Sequence, residues 1–265
     1  MFDWKTRCGL SLSLILSCLF LVAVPEVRAA EEKQKVQQTG GFLPVLPPSP
    51  SSSELEKQED LWILDVAFKP MRMLPLELTN PKTGNKERRN VWYLVYKVRN
   101  VPLERPQDTS DQTPINTEDQ RRIGQIFVPE FELVTHDNDR TQAYRDEILP
   151  EAVSLIAKRE RLPLQSSIAI AGDLEKTDSN EYRYGVAIWT GIDPNTDFFT
   201  LYASGFSSAY RINPENGSLQ KRTIMLEYAR PGDKYEEIEK EFRPKDDPEW
   251  IYRPAEMKVD QTASK

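Results

Sequence analysis

The sequence predicts a mainly β fold, an antiparallel β-sandwich with one short helix inserted at about residues 150–161. Three observations lead there. Between residues 61 and 230 about eight stretches have strand character, either alternating apolar and polar or apolar throughout. Clusters of Pro, Gly, Asn and Asp separate them, which suits antiparallel strands rather than parallel strands joined by helices. One stretch alone has the apolar spacing of a helix.

The chain ahead of these strands reads as an export signal and a spacer. Lys5 and Arg7 precede an apolar run, residues 8–24, and Val27-Arg28-Ala29 offers a small-x-small cleavage site. The expectation is a cleaved signal peptide, 1–29, and an exported protein, periplasmic or extracellular. The competing reading keeps the run as an uncleaved membrane anchor, because it sits at the lower limit for spanning a bilayer. Pro25 and the Val-x-Ala end favour cleavage. Both cysteines, Cys8 and Cys18, lie in this leader. The mature chain therefore offers no disulfide, no thiolate metal ligand and no cysteine nucleophile. Such an exported chain suits a bacterial envelope better than a disulfide-forming secretory route. Residues 30–60, with Phe42-Leu43-Pro44-Val45-Leu46-Pro47-Pro48-Ser49-Pro50, read as a disordered Pro/Ser-rich linker. The apolar residues at 42–46 fit either a partner's surface or the domain's own.

The strands follow in order. Trp62, Leu64, Val66 and Phe68 alternate with Ile63, Asp65, Ala67 and Lys69 up to Pro70. Residues 71–78, interrupted by Pro75, suit an edge. After the turn Asn80–Asn85 comes the best strand in the chain, 91–99. Trp92, Leu94, Tyr96 and Val98 fall on one side and Val91, Tyr93 and Val95 on the other, which predicts an interior strand covered on both faces. Residues 101–122 read as a long polar loop. Strand character returns at 127–135, and Thr141–Leu149 is extended but ambiguous. Pro150 opens the helix, Val153, Ile156 and Ala157 make its apolar face, and Lys158, Arg159 and Arg161 close it. Such a helix would plug one end of the sandwich or cover an edge. Strands are expected again at 167–171, 183–192, 198–203 and 208–212. Asn216-Gly217 signals a type I′ hairpin leading to 221–229. Residues 231–265 read as a charged, largely irregular tail, with Phe242 and Trp250-Ile251-Tyr252 as docking points.

A resemblance supports the class. Leu94-Val95-Tyr96-Lys97-Val98-Arg99-Asn100, then Phe131-Glu132-Leu133 with Thr135, Asp137 and Tyr144, resembles the strand pattern of immunoglobulin-like domains in exported bacterial proteins. Trp92-Tyr93, the helix end at Glu160 and Gly185-Val186-Ala187-Ile188-Trp189 resemble uncharacterised exported bacterial proteins of this size. The resemblance implies an immunoglobulin-like β-sandwich over 61–230. Its residues are core and turn residues, so it implies fold rather than activity.

Charge narrows the partners. The chain carries 35 basic and 42 acidic residues, a formal −7. The leader holds Lys5, Arg7 and Arg28 against Asp3 and Glu26, so the mature chain stands at −8. Nucleic acid is not an expected partner, and membrane contact is expected only through an uncleaved leader. His136 is the only histidine, beside Asp137, and no nucleophile elbow is present. The eleven glycines are scattered, with no phosphate loop among them. No residue is assigned as catalytic, and the balance leans away from an enzyme. Glu130 with Glu132, and Glu147 with Glu151, are carboxylate pairs that fit glycoside hydrolysis or simply a solvated face.

Two features remain. Asp193, Asn195 and Asp197 offer hard oxygens at alternating spacing, as calcium loops do, and Asp137-Asn138-Asp139 is a second such stretch. The same residues make ordinary turns. Calcium is thus the one cofactor considered. Trp189, Phe198, Phe199, Tyr202, Phe206 and Tyr210 crowd together, either filling the core or stacking on a ligand. Phe198, Phe199 and Phe206, next to turns, are the candidate ligand-binding residues. The expected function is an exported, non-enzymatic binding or structural module of the bacterial cell envelope. Its partner would be an envelope protein or a glycan. The alternative is a secreted carbohydrate-binding or hydrolytic protein, in one form calcium-dependent, using 193–206.

Overall fold

Strand β3, Lys86–Asn100, runs through the middle of the first sheet. The computed structural model describes residues 41–58, 60–80, 82–103, 125–136, 141–173, 181–231 and 242–255. Strands β1 (Leu64–Phe68) and β2 (Arg72–Thr79) lie end to end along one side of β3, and β8 (Arg183–Thr190) lies along the other, all antiparallel. The register steps between Phe68↔Tyr96 and Arg72↔Tyr93, so Lys69, Pro70 and Met71 bulge opposite two residues of β3. Pro70, with no N–H to donate, fits such a bulge. The expected interior strand is therefore found. Trp92, Leu94, Tyr96 and Val98 are buried in one core, and Val91, Tyr93 and Val95 in another.

The second sheet is built on β11 (Leu219–Ala229). Strands β9 (Phe198–Ser204), β5 (Glu130–Thr135) and β6 (Gln142–Arg145) follow on one side, together with β10 (Tyr210–Ile212). Strands β12 (Arg243–Pro244) and β13 (Glu249–Pro254) pair with the other side of β11. A small separate pair joins β4 (Ile126–Phe127) to β7 (Gly172–Asp173). The two sheets share one apolar core: Trp92 meets Phe199 at 5.3 Å between ring centroids, and Tyr96 meets Phe131 at 4.9 Å. The protein is mainly β, with antiparallel sheets and few helices, as predicted.

One corner ties the sheets together. After Ser204 the chain leaves the second sheet; Leu64 N–H donates to Phe206 O (3.0 Å), and Ser207 bridges to Ile63. Gly205 makes the departure possible. Its φ is +82°, and a Cβ there would lie 1.9 Å from the Val128 carbonyl oxygen.

Helix α2 (Pro150–Glu160) begins at Pro150 and ends on Arg161 in the left-handed conformation. It does not plug an end or cover an edge. Ala152 and Ile156 pack on Val91, Tyr93, Val95, Val186 and Ile188, covering the outer face of the first sheet. This is why β3 is apolar on both sides. The strand expected at 167–171 is instead a helical turn, α3 (Ser167–Ile170), because the Ser166 hydroxyl caps it by accepting from Ala169 N–H at 3.3 Å.

Both flanks of the expected domain are corrected as well. Residues 41–58 are not a linker. Leu43 N–H donates to Phe68 O (2.8 Å), Leu46 bridges to Val66, and Phe42 is buried. A Pro-rich segment cannot form its own core, but it can lie beside a strand and lend its apolar residues to another. It continues into α1 (Ser52–Lys57), which opens with a reciprocal capping box between Ser51 and Glu54. The tail is likewise not irregular at 243–254. It supplies β12 and β13, and Trp250 packs against the cores. The hairpin at 213–218 forms without a type I′ turn. Gly217 alone there has positive φ, and Gly217 N–H closes an α-turn on Asn213 O at 2.8 Å. Pro214, with φ fixed near −65°, favours this geometry. Residues 1–40, 104–124, Asp137–Arg140 and 256–265 lie outside the described residues. Among the described residues no helix is long and apolar enough to cross a membrane.

Candidate functional site

The region 193–206 divides sharply. Phe199 is 1% and Phe206 0% exposed, so neither is a surface ligand-binding ring. Strand β9 alternates, which turns Phe199 inward with Leu201 and Ala203, where it stacks on Tyr228 at 5.3 Å. Gly205 then swings Phe206 into the corner among Tyr96, Phe127 and Phe131. Phe198, the outward neighbour, is 49% exposed, with the Lys245 ammonium 5.8 Å from its ring centroid.

The Asp193–Asp197 turn is closed by its own atoms. Asp193 Oδ1 accepts from Asn195 N–H and from Asn195 Nδ2, each at 2.9 Å. The Arg230 guanidinium donates to Pro194 O (2.7 Å), and Arg230 N–H donates to Asp197 O (2.7 Å). Arg230 and Arg89 also border a neighbouring cavity of about 490 Å³, a cationic lining that suits an anion rather than calcium. Among the described residues no three of His, Cys, Asp or Glu are placed to hold a metal ion.

Three of the four paired carboxylates have structural partners. Glu147 accepts from Thr190 N–H (2.9 Å) and its hydroxyl (2.7 Å), and Glu151 accepts from Thr79 N–H (2.9 Å). Glu132 pairs with Arg253 (3.2 Å), whose guanidinium lies 3.4 Å from the Tyr202 ring centroid. His136 Nε2 is 2.7 Å from the Thr200 hydroxyl.

A different site emerges at the corner between the sheets, a groove of about 420 Å³. One wall is Ile126 and Val128, 58% and 49% exposed; the other is Tyr210 and Leu219, 49% and 43% exposed. The segment 126–129 alternates, so Phe127 and Pro129 go inward while Ile126 and Val128 are left outside. Gly205, Ser207, Glu130 and Lys221 also line the groove. Ser208 is occupied, its hydroxyl accepting from Trp62 N–H at 2.9 Å. The backbone edge at Tyr210 is occupied too. The Gln58 side-chain amide donates to Tyr210 O (3.0 Å) and accepts from Tyr210 N–H (3.3 Å). A ligand here would thus be held by side chains and not by added strand pairing at that residue.

Of the candidate site residues singled out in sequence, Tyr210 and Glu130 belong to this groove. Its walls come from segments far apart in the chain, and no local pattern joins them. The available signal was Ile126 and Val128 themselves, apolar residues alternating with apolar residues in a stretch too short for an interior strand. Compared with known families, with curated proteins and with solved structures, the chain matches none.

Proposed function

We propose that this protein is an exported, non-enzymatic binding module of the bacterial cell envelope, an immunoglobulin-like β-sandwich that takes a protein partner in the corner groove. The observation that carries the reading is the convergence of Ile126, Val128, Tyr210 and Leu219, all substantially exposed, on one concave surface. Exposed apolar side chains scattered singly need no explanation, whereas a rimmed apolar concavity is characteristic of a docking surface. Three of the four chains are aliphatic, which favours a protein surface over a sugar, whose recognition draws on aromatic platforms. Two antiparallel sheets on a shared core support the sandwich. The leader pattern and the absence of cysteine after Cys18 support export.

The test places a photo-crosslinking residue at Tyr210, or at Thr83 as a control, in protein expressed with its leader. An adduct with one protein from position 210 alone, abolished by Leu219→Asp in the same chain, is the expected result. If no such adduct forms, the reading fails. Polysaccharide retention lost in Tyr210→Ala would replace the protein partner with a glycan. The intact mass of the exported chain, read on the same sample, excludes cleavage if residues 1–29 are present.

A further inference from the structure

The sheet edges are not treated alike. In the first sheet, β8 gives outward groups to other segments: Val186 N–H donates to Gln165 O (2.9 Å), and Ile188 O accepts from Glu147 N–H (2.7 Å). Strand β2 carries Pro75 within its length and gives Thr79 N–H to Glu151 (2.9 Å). Strand β13 has no second strand beside it: among the described residues it pairs with β11 alone.

The register fixes which of its groups are left over. Ala255 N–H donates to Leu219 O (3.0 Å), one step beyond the pair Gln220↔Pro254. Antiparallel pairs alternate between hydrogen-bonded and non-bonded. Glu249, Ile251 and Arg253 are therefore bonded to β11, whereas the N–H and C=O groups of Trp250 and Tyr252 point away from it. Among the described residues those outward groups have no backbone partner. Side chains alternate as well. Trp250 and Tyr252 turn inward, where Trp250 packs against the core and the Tyr252 hydroxyl donates to Glu54. Glu249, Ile251 and Arg253 lie on the outer face, where Arg253 meets Glu132 at 3.2 Å.

We propose that β13 is a self-pairing edge, at which a second copy of this chain adds its own β13 antiparallel across a two-fold axis at Ile251. Trp250 then faces Tyr252 of the second copy, and Tyr252 faces its Trp250, each pair exchanging two hydrogen bonds from the groups left over. The same register sets Glu249 opposite Arg253 of the second copy, twice, on the outer face. Pro248 and Pro254 meet just beyond, where neither has an N–H to offer, and they confine the pairing to 249–253. Prolines and charges also blunt edges against aggregation. A blunting charge repels a second copy, however. Here the two charges have opposite signs and stand symmetrically about Ile251, so the strand complements itself.

Sedimentation velocity on the full chain tests the pairing, with non-reducing electrophoresis of Ile251→Cys after mild oxidation as a second measurement. The wild type should show a concentration-dependent monomer–dimer equilibrium. Glu249→Arg, at an exposed position, sets like charges opposite each other twice and should weaken the dimer at least tenfold. Adding Arg253→Glu to that variant should restore most of the loss. Ile251→Cys faces itself across the axis and should form a disulfide dimer. Thr83→Cys and the wild type, whose cysteines are Cys8 and Cys18, should not. The disulfide keeps the test decisive if Glu249→Arg does not fold. A monomer at every concentration, unchanged association in Glu249→Arg, or no disulfide specific to Ile251→Cys overturns the proposal. A mixed disulfide of Ile251→Cys with a different protein alone also overturns it and assigns the edge to another strand.

Discussion

Two buried carboxylates fasten peripheral helices to the body of the protein, and they reach it from opposite helix ends. Glu54 stands in the first turn of α1 and meets β11 and β13. Its oxygens lie 3.0 and 3.1 Å from Arg222 Nη1, and it accepts from the Tyr252 hydroxyl and from Ser51 N–H. Glu160 is the last residue of α2 and meets β2, β3 and the bulge between β1 and β2. It pairs with Lys69 at 2.8 Å, accepts from the Tyr93 hydroxyl at 2.9 Å and lies 3.5 Å from Arg72. Each uses a glutamate, a strand cation and a tyrosine.

The difference between them is redundancy. Glu160 has two cations and sits at the negative end of its helix dipole, where a carboxylate is disfavoured and extra positive charge compensates. Glu54 relies on one guanidinium, itself buried, which also donates to Ser49 O at 2.8 Å and lies 4.9 Å from the Trp250 ring centroid. A single charge partner shared among several contacts makes a tighter but less forgiving fastening than two partners around one carboxylate.

The largest expected effect follows directly. Arg222→Ala should lower the unfolding free energy by about 3–5 kcal/mol in urea titration, because it strands Glu54 without a countercharge. Lys69→Ala should cost about 2 kcal/mol, since Arg72 and Tyr93 still serve Glu160. Equal losses from the two variants would end the argument from redundancy. Tyr252→Phe and Tyr93→Phe each remove one hydrogen bond to a carboxylate, and each should cost about 1.5 kcal/mol. The phenol of Tyr252 is itself pushed up to about 12, by burial first and then by Glu54, so it remains a donor across the usual pH range.

The smallest effect lies in the pH profile. Burial pushes both glutamates upward, but hydrogen bonds and cations outweigh it. For Glu54 these are the bonds from Tyr252 and Ser51 with the Arg222 charge, and for Glu160 the bonds from Lys69 and Tyr93 with Arg72. Both carboxyls therefore lie below their ordinary value of 4.5. Their stabilisation is fully present above that value and is lost as pH falls through the lower folded value. Asp146 has the opposite sign. Burial raises it above 3.8 despite the hydrogen bond from Ser167, so its contribution is present in acid and lost as pH rises through the raised value. Urea midpoints between pH 3 and 7 should fall toward acid. Glu54→Gln should flatten that fall, and Asp146→Asn should steepen it.

Much of the fold was legible in residue order, and the reason is local. Period-2 alternation from Trp62 to Phe68 and the double-faced apolar run at 91–98 each report a strand and its coverage within a few residues. Pro150 and the cations at 158–161 mark both ends of α2 in the same way. The missed pieces, 41–58 and 243–254, have few apolar residues and gain their partners outside any local window: Leu46 from Val66, Trp250 from Ile224 and Glu54 from Arg222. Their signals were present but weak: Ser51-Ser52-Ser53-Glu54 spells a capping box, and Trp250-Ile251-Tyr252 is a short strand. At the site, alternation in β9 already implied that Phe198 and Phe199 point in opposite directions, so only one of them was available to a ligand. The groove at Ile126, Val128, Tyr210 and Leu219 left only the short apolar stretch at 126–128 as a local trace.

The sequence by itself determined the strand class, the interior position of β3 and the ends of α2, because periodicity and composition are properties of neighbouring residues. Only the tertiary structure decided that Phe199 and Phe206 are core and that Glu54 finds Arg222. It alone gathered four exposed apolar chains into one groove. Burial and charge pairing are settled between residues distant in the chain, where geometry in space and not spacing in sequence fixes the energy.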